Sequence, residues 1–172
     1  MGTGVKGWHM AGSQPGDYEA GIDTGEHFEG HAVAYLRSCR TPASGFGTLM
    51  QTISADEYLG KRAKFAGAIR SEGLTSWAGL WMRVDGPDSG RHLAFDNMLD
   101  RPIKGTTDWT RYAVVLDVDK TAVAIAFGVL AGGEGKLWMS DFSFEEVAED
   151  EPVTGAAMRT RPENLDFSSS DG

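Results

Sequence analysis

The stretch Trp77-Ala78-Gly79-Leu80-Trp81-Met82-Arg83-Val84-Asp85-Gly86 alternates two kinds of residue at a period of two and closes on a turn. Successive side chains of a β-strand point to opposite sides, so one face carries Trp77, Gly79, Trp81 and Arg83 and the other Ala78, Leu80, Met82 and Val84. Both faces need cover. The aliphatic face suits packing between two sheets, whereas paired tryptophans with a glycine and an arginine suit a groove that receives something flat or greasy.

Working outward, short apolar-alternating segments fall at 7–11, 18–23, 32–38, 46–53, 62–70, 77–84, 92–97, 110–116, 123–130 and 137–147, with 23 glycines and 6 prolines punctuating the gaps. Helical periodicity is almost absent, and the spacing predicts an all-β protein, an antiparallel two-sheet sandwich of about ten strands. Only residues 55–60, after Ser54 as N-cap, read as a helical turn, with Gly60 as its stop. Residues 1–150 read as a single domain and 151–172 as a polar C-terminal tail that buries little and is expected to be mobile unless a neighbouring subunit captures it.

A chain of 172 residues with 41% apolar content is long enough for one well-buried core. Its formal net charge of −9 opposes phosphate backbones, and no basic stripe with interleaved aromatics offsets this, so no nucleic-acid partner is expected. No apolar run approaches a membrane span, and the glycine-rich, polar start does not read as a signal peptide. The single cysteine, Cys39, cannot pair within the chain. A cytoplasmic location is the default.

Several chemistries lack a signature. His27 and His31 have i, i+4 spacing but lie among glycine and turn residues, where a surface loop is a better reading than a zinc site. A structural calcium could draw on Asp17, Glu19, Asp23 or Asp141, although no resident metal is assigned. There is no Gly-x-Ser-x-Gly elbow, and Cys39 has no histidine nearby in sequence. The run from Gly128 to Lys136 precedes a strand rather than a helix, so it reads as a hairpin loop and not a phosphate cradle. Asp96, Asp100 and Asp108 surround a turn region, where carboxylates more often bond to their own turns than act as a catalytic pair.

What remains is a surface. Val123, Ile125 and Phe127 alternate with Ala122, Ala124, Ala126 and Gly128, and His92, Ala94, Asp96 and Met98 alternate with Leu93, Phe95 and Asn97, which suggests bulky core on one side and small or functional residues on the other. Between residues 46 and 53, Leu49, Gln51 and Ile53 share one face and Thr48, Met50 and Thr52 the other, with the inward face left open. Gln51 is the better polar anchor because its amide both donates and accepts. The plain alternative is that the aromatics merely fill a sandwich core.

The motifs Phe46-Gly47-Thr48-Leu49-Met50-Gln51, Trp77 to Gly86, Ala94-Phe95-Asp96-Asn97-Met98, Arg101 to Trp109 and Phe127-Gly128-Val129-Leu130 together resemble a bacterial jelly-roll family related to carbohydrate-binding modules. Its members occur as ligand-sensing halves of transcription regulators and as free-standing proteins, and the likeness covers most of residues 7–155. In length and motifs the chain is most similar to stand-alone actinomycete polyketide cyclases that carry out transannular 4+2 and 6+4 cycloadditions on polyene macrolactones. The resemblance implies a cofactor-independent pericyclase acting on a small-molecule polyketide, with Trp81, Gln51 and Asp96 as catalytic residues and Trp77, Met50, Arg83, His92 and Met98 as substrate-binding residues. Such a reaction needs no nucleophile or metal, only a polyene held in a near-attack conformation. The alternative is a non-catalytic module that binds a carbohydrate or other small effector on the same tryptophans. A third reading makes the tryptophan face an interface, with a homo-oligomer as its consequence.

Overall fold

The computed structural model describes residues 4–43, 45–88 and 92–157, together with Leu165 and Phe167. Ten strands follow in order: β1 His9–Gly12, β2 Tyr18–Phe28, β3 His31–Ser38, β4 Phe46–Ser54, β5 Arg62–Asp85, β6 His92–Asp96, β7 Ile103–Asp117, β8 Ala124–Gly132, β9 Lys136–Val147 and β10 Ala156–Ala157. A single 3-10 turn at Pro15–Asp17 is the only helical element among the described residues, so the protein is all-β as expected.

The segments at 62–70 and 77–84, expected as separate strands, are the two halves of β5, which runs for 24 residues. Polar residues and Gly73 between them read as a break, yet the chain stays paired to β7 through a corner with register shifts at Ser71, Leu74 and Ala78, and Gly73 sits there at φ +63. The first half of β5 pairs with β9 and β7, and the second half with β8 and β6. One sheet is therefore β2-β3-β9-β5-β7 and the other β1-β4-β8-β5-β6-β10, all antiparallel.

The corner also reverses the phase of the alternation. In the first half Ala63, Phe65 and Ile69 enter the core, and in the second Ala78, Leu80, Met82 and Val84 do. Odd-numbered residues point inward before the corner and outward after it. Between the sheets these side chains meet Leu36, Leu49, Val114, Leu116, Ile125 and Leu137. Burial of that apolar layer is the main stabilising term, as in any two-sheet sandwich.

Residues 55–60 form turns that begin at Ser54 and stop at Gly60, as read from the sequence: Ser54 Oγ accepts from Asp56 N at 3.2 Å, Tyr58 N donates to Ala55 O at 2.9 Å, and Gly60 ends the run at φ +74. Two local expectations are corrected. The glycine-rich run after β8 is not a hairpin loop, because β8 and β9 lie in different sheets. Gly133 and Gly135, at φ +67 and +134, carry the crossing, and Tyr18 OH donates to Gly133 O at 2.6 Å. The alternation proposed for 122–128 holds only from Ala124, where β8 begins; Ala122 joins the core and Val123 is exposed.

The start of the presumed tail is tied to the sheets. Arg62 Nη1 donates to the carbonyls of Glu149 and Glu151, Lys64 pairs with the Glu151 carboxylate at 2.7 Å, Thr154 exchanges hydrogen bonds with Val115, and β10 pairs with β6. Residues 158–172, apart from Leu165 and Phe167, lie outside the described residues.

At the centre of the second sheet, Gly128 stands between Met50 on β4 and Trp81 on β5. A Cβ there would lie 2.3 Å from Leu49 O and 2.8 Å from Met50 Cα, both backbone atoms. Gly128→Ala should destabilise the protein by about 1–3 kcal/mol through overpacking. Urea unfolding checks this, and an unchanged midpoint would contradict the tight approach of β4 and β8.

Candidate functional site

The outward face of the second sheet forms a cleft of about 640 Å³. Phe46, Thr48 and Met50 enter it from β4, Leu130 and Gly132 from β8, Trp77, Trp81 and Arg83 from β5, and Phe95 and then Asn97 from β6 and its end. Ser76 and the glycines at 12 and 45 complete the rim. The even residues of β4 and the odd residues of β5 share this side, so the face reading of Trp77-Gly79-Trp81-Arg83 holds.

Trp81 forms the floor and is only 6% exposed. Its ring packs with Ala126 and Leu130, and Met50, Trp77 and Phe95 close around them as a small second apolar cluster. With no side chain at Gly128, the indole reaches across β8, and Nε1–H donates to Thr48 Oγ1 at 2.8 Å. Thr48 in turn donates to Val129 O at 2.7 Å, so the floor is polar-satisfied before any ligand arrives. Trp77 is half-buried and forms a wall.

Among the described residues Arg83 is the one charged side chain of the lining. Its Nε and Nη2 bond the two Asp85 carboxylate oxygens at 2.8 and 3.1 Å, a bidentate pair on one side of β5. Asn97 Oδ1 accepts from Leu99 N at 3.2 Å. Among the described residues no Asp, Glu, His, Cys or Lys lines the cleft.

Of the residues expected at the site, Trp77, Trp81, Met50 and Arg83 come together there. Gln51 does not: it shares the core-facing side of β4 with Leu49 and Ile53. Asp96 and Met98 do not either, because β6 has the opposite phase to the expected one. A bulge at Leu93, between the Val84–Ala94 and Asp85–His92 pairs, puts Ala94 on the core side and Phe95 in the cleft. His92 is exposed, 5.5 Å from the Phe95 ring, and does not line the cavity.

Asp96 is a structural residue. Its Oδ1 accepts from Met98 N at 2.9 Å, and Arg101 bonds both oxygens, the closer at 2.5 Å. Arg101 also donates to Ala113 O and Asp100, which ties the turn after β6 to β7. Met98 adopts φ +61 and is buried in the core, with Sδ accepting from Leu80 N at 3.3 Å. A Cβ at Gly79 would lie 3.0 Å from Met98 Cβ and 3.1 Å from Asn97 O, so glycine lets this turn lie against β5 and delivers Asn97 to the cleft. Asn97, a candidate polar partner in the carbohydrate reading, reaches the cleft, whereas Thr48, Phe95 and Leu130 are lining residues that the sequence reading does not assign to the site. The parity of Thr48 with Met50 was the one signal that could have found Thr48.

The four carboxylates offered to calcium are dispersed. Asp17 pairs with Arg40, Glu19 with Arg37, Asp23 accepts from Trp138 Nε1, and Asp141 pairs with Arg111. Among the described residues no three His, Cys, Asp or Glu side chains are placed to hold a metal ion. His27 and His31 flank a two-residue hairpin in which Glu29 and Gly30 have φ +49 and +82. Among the described residues no helix is long and apolar enough to cross a membrane.

No family model matches the chain. It is 44% identical over 168 residues to a protein of Bacillus subtilis named as an uncharacterized HTH-type transcriptional regulator, YbfP. That match takes in 95% of this chain, which spans 57% of the regulator's length. Among solved structures, a family 16 carbohydrate-binding module superposes with a TM-score of 0.59 at 10% identity, over 84% of this chain and 99% of that one. The C-terminal family 22 module of Clostridium thermocellum Xyn10B gives 0.56 at 15% identity, over 84% and 90%. The fold is the jelly roll of carbohydrate-binding modules. At these identities the likeness speaks for the fold alone.

Burial would raise the Asp96 carboxyl, but hydrogen bonds from Arg101, Thr154 and the Met98 amide hold it below the ordinary carboxylate value. With the folded value depressed, its stabilisation is complete above about pH 4 and is lost as pH falls through that lower value. Asp96→Asn should therefore lower the thermal midpoint near neutral pH and converge on wild type as the pH falls below the ordinary carboxylate range. Melts across that range check this, and a gap independent of pH would contradict it.

Proposed function

We propose that this chain is a small-molecule-binding module whose ligand is a flat, mostly apolar organic molecule laid over Trp81 and against Trp77, and that occupancy rather than chemistry on the ligand is its output. The observation that carries this reading is the aromatic cleft itself. Its volume of about 640 Å³ is of the size that receives one small ligand, and its lining is aromatic and aliphatic with few polar groups. Among the described residues the lining carries no carboxylate, imidazole, thiol or amine, and the Trp81 N–H is already engaged. The relationship to part of a protein named as a transcriptional regulator supports an effector-binding role. A pyranose needs polar partners around its rim, and Arg83, Asn97 and Ser76 are few for that task.

The same cleft supports a second reading, a pericyclase that folds a polyene macrolactone for transannular cycloaddition. The favouring observation is an apolar space large enough to confine a macrocycle, since confinement supplies the entropic part of such a barrier without any proton transfer. With Gln51 and Asp96 outside the cleft, Arg83 and Asn97 would supply its hydrogen bonds.

Incubation of the protein with a conjugated polyene macrolactone tests both readings. The module reading predicts saturable quenching of tryptophan fluorescence, recovery of unchanged ligand by mass spectrometry and NMR, and an affinity at least about tenfold weaker in Trp77→Ala at an unchanged melting temperature. An isomer of identical mass, formed faster than without protein, would establish the cyclase instead. Saturable binding of xylo- or gluco-oligosaccharides with no response to polyenes would overturn both.

A further inference from the structure

Building on the cleft reading above, we propose that its ligand presents a neutral carbonyl oxygen, as in a ketone, ester, lactone or amide, to Arg83 and Asn97, and that Asp85 is the residue that excludes carboxylates. The free hydrogen-bonding capacity of this flank is lopsided. Thr48 spends its proton on Val129 O and accepts from Trp81, so the floor offers a ligand nothing. Arg83 gives Nε and Nη2 to Asp85 and keeps Nη1, while Asn97 uses Oδ1 on Leu99 N and keeps Nδ2. Both remaining groups are N–H donors without partners among the described residues. They lie on the same flank, since Arg83 pairs with Phe95 and Met82 with Asp96 across β5 and β6. Ser76, at the opposite end of this β5 segment, can donate or accept.

Two donors call for an acceptor on the ligand, and the local charge decides which kind. The Arg83 guanidinium is already neutralised by a bidentate carboxylate, and among the described residues the lining holds no second cation. An incoming carboxylate would meet the Asp85 charge with no unpaired positive charge to balance it, and would lose its own hydration. A neutral carbonyl accepts the same two hydrogen bonds without that penalty. Among the described residues His92, opposite Asp85 on β6, also faces this pair.

The test compares parinaric acid with its methyl ester at about pH 8, where the free acid is ionised. Energy transfer from tryptophan to the tetraene reports binding. Wild type should bind the ester at least about tenfold more tightly than the acid. Part of any such preference is simple hydrophobicity, so the decisive quantity is how the ratio responds to charge. Asp85→Asn, which frees the guanidinium, should shrink the ester-to-acid ratio about tenfold or invert it. Arg83→Gln, which keeps an N–H donor and the Asp85 charge, should retain the ester preference and serves if Asp85→Asn fails to fold. Tighter binding of the acid by wild type, a ratio unmoved in folded Asp85→Asn, or a preference abolished in Arg83→Gln would overturn the assignment while leaving the cleft reading intact. Binding of neither probe to wild type would overturn both.

Discussion

The structure depends on one strand that belongs to two sheets. β5 enters between β7 and β9 and leaves between β8 and β6, and the corner at residues 71–77 changes which alternate residues face the core. Before the corner Phe65 and Ile69 point inward; after it Leu80, Met82 and Val84 do. Had the phase continued unbroken, Trp77 and Trp81 would lie in the sandwich core and Leu80 and Met82 on the surface, since a one-residue slip moves every side chain to the other face. The bend with Gly73 at positive φ thus links the fold to the site: it places two tryptophans outside the core on a sheet whose inner face is still sealed by aliphatic residues.

Small residues then shape that outer face. Ala126, Gly128 and Gly132 on β8 leave a trough, Trp81 lies across it to Thr48, and Met50, Leu130, Trp77 and Phe95 rise around the ring. On the far side the Asp96–Arg101 pair fixes the turn that presents Asn97. Binding groups held by satisfied hydrogen bonds lose little freedom when a ligand arrives, which is the physical advantage of a preformed cleft.

The parts legible in the sequence were those encoded by side-chain size at fixed parity. Residues 77–84 carry an apolar aliphatic series interleaved with a larger, mixed one, and no register with another strand is needed to separate them. Joining 62–70 to 77–84 was not legible, because a corner built from serine, glycine and threonine looks like a loop when its pairing to β7 is unseen. On β6 polarity was a poor guide. Asp96 is buried because Arg101, five residues later, folds back to neutralise it, and the bulge at Leu93 and the left-handed Met98 set the phase of the strand. On β4 the open choice between two faces was settled only by Leu49 meeting the core, which carried Gln51 inward with it. The turn around Gly133 looked like a hairpin because the sequence does not say that its two strands sit in different sheets.

Another tryptophan of a sheet exterior offers an internal control. Trp138 lies on the outer side of β9, between the Arg70 guanidinium at 4.1 Å and the Lys136 ammonium at 4.5 Å, with Nε1 donating to Asp23. It is covered by its own neighbours and presents no open platform. The direct measurement is therefore a nitrogen-15 correlation spectrum of the indole N–H groups during titration with a conjugated polyene ester. Shifts that saturate at Trp77 and Trp81, with Trp138 unmoved, are the predicted result; shifts centred on Trp138 with the Trp77 and Trp81 signals unchanged would contradict a ligand site on the second sheet.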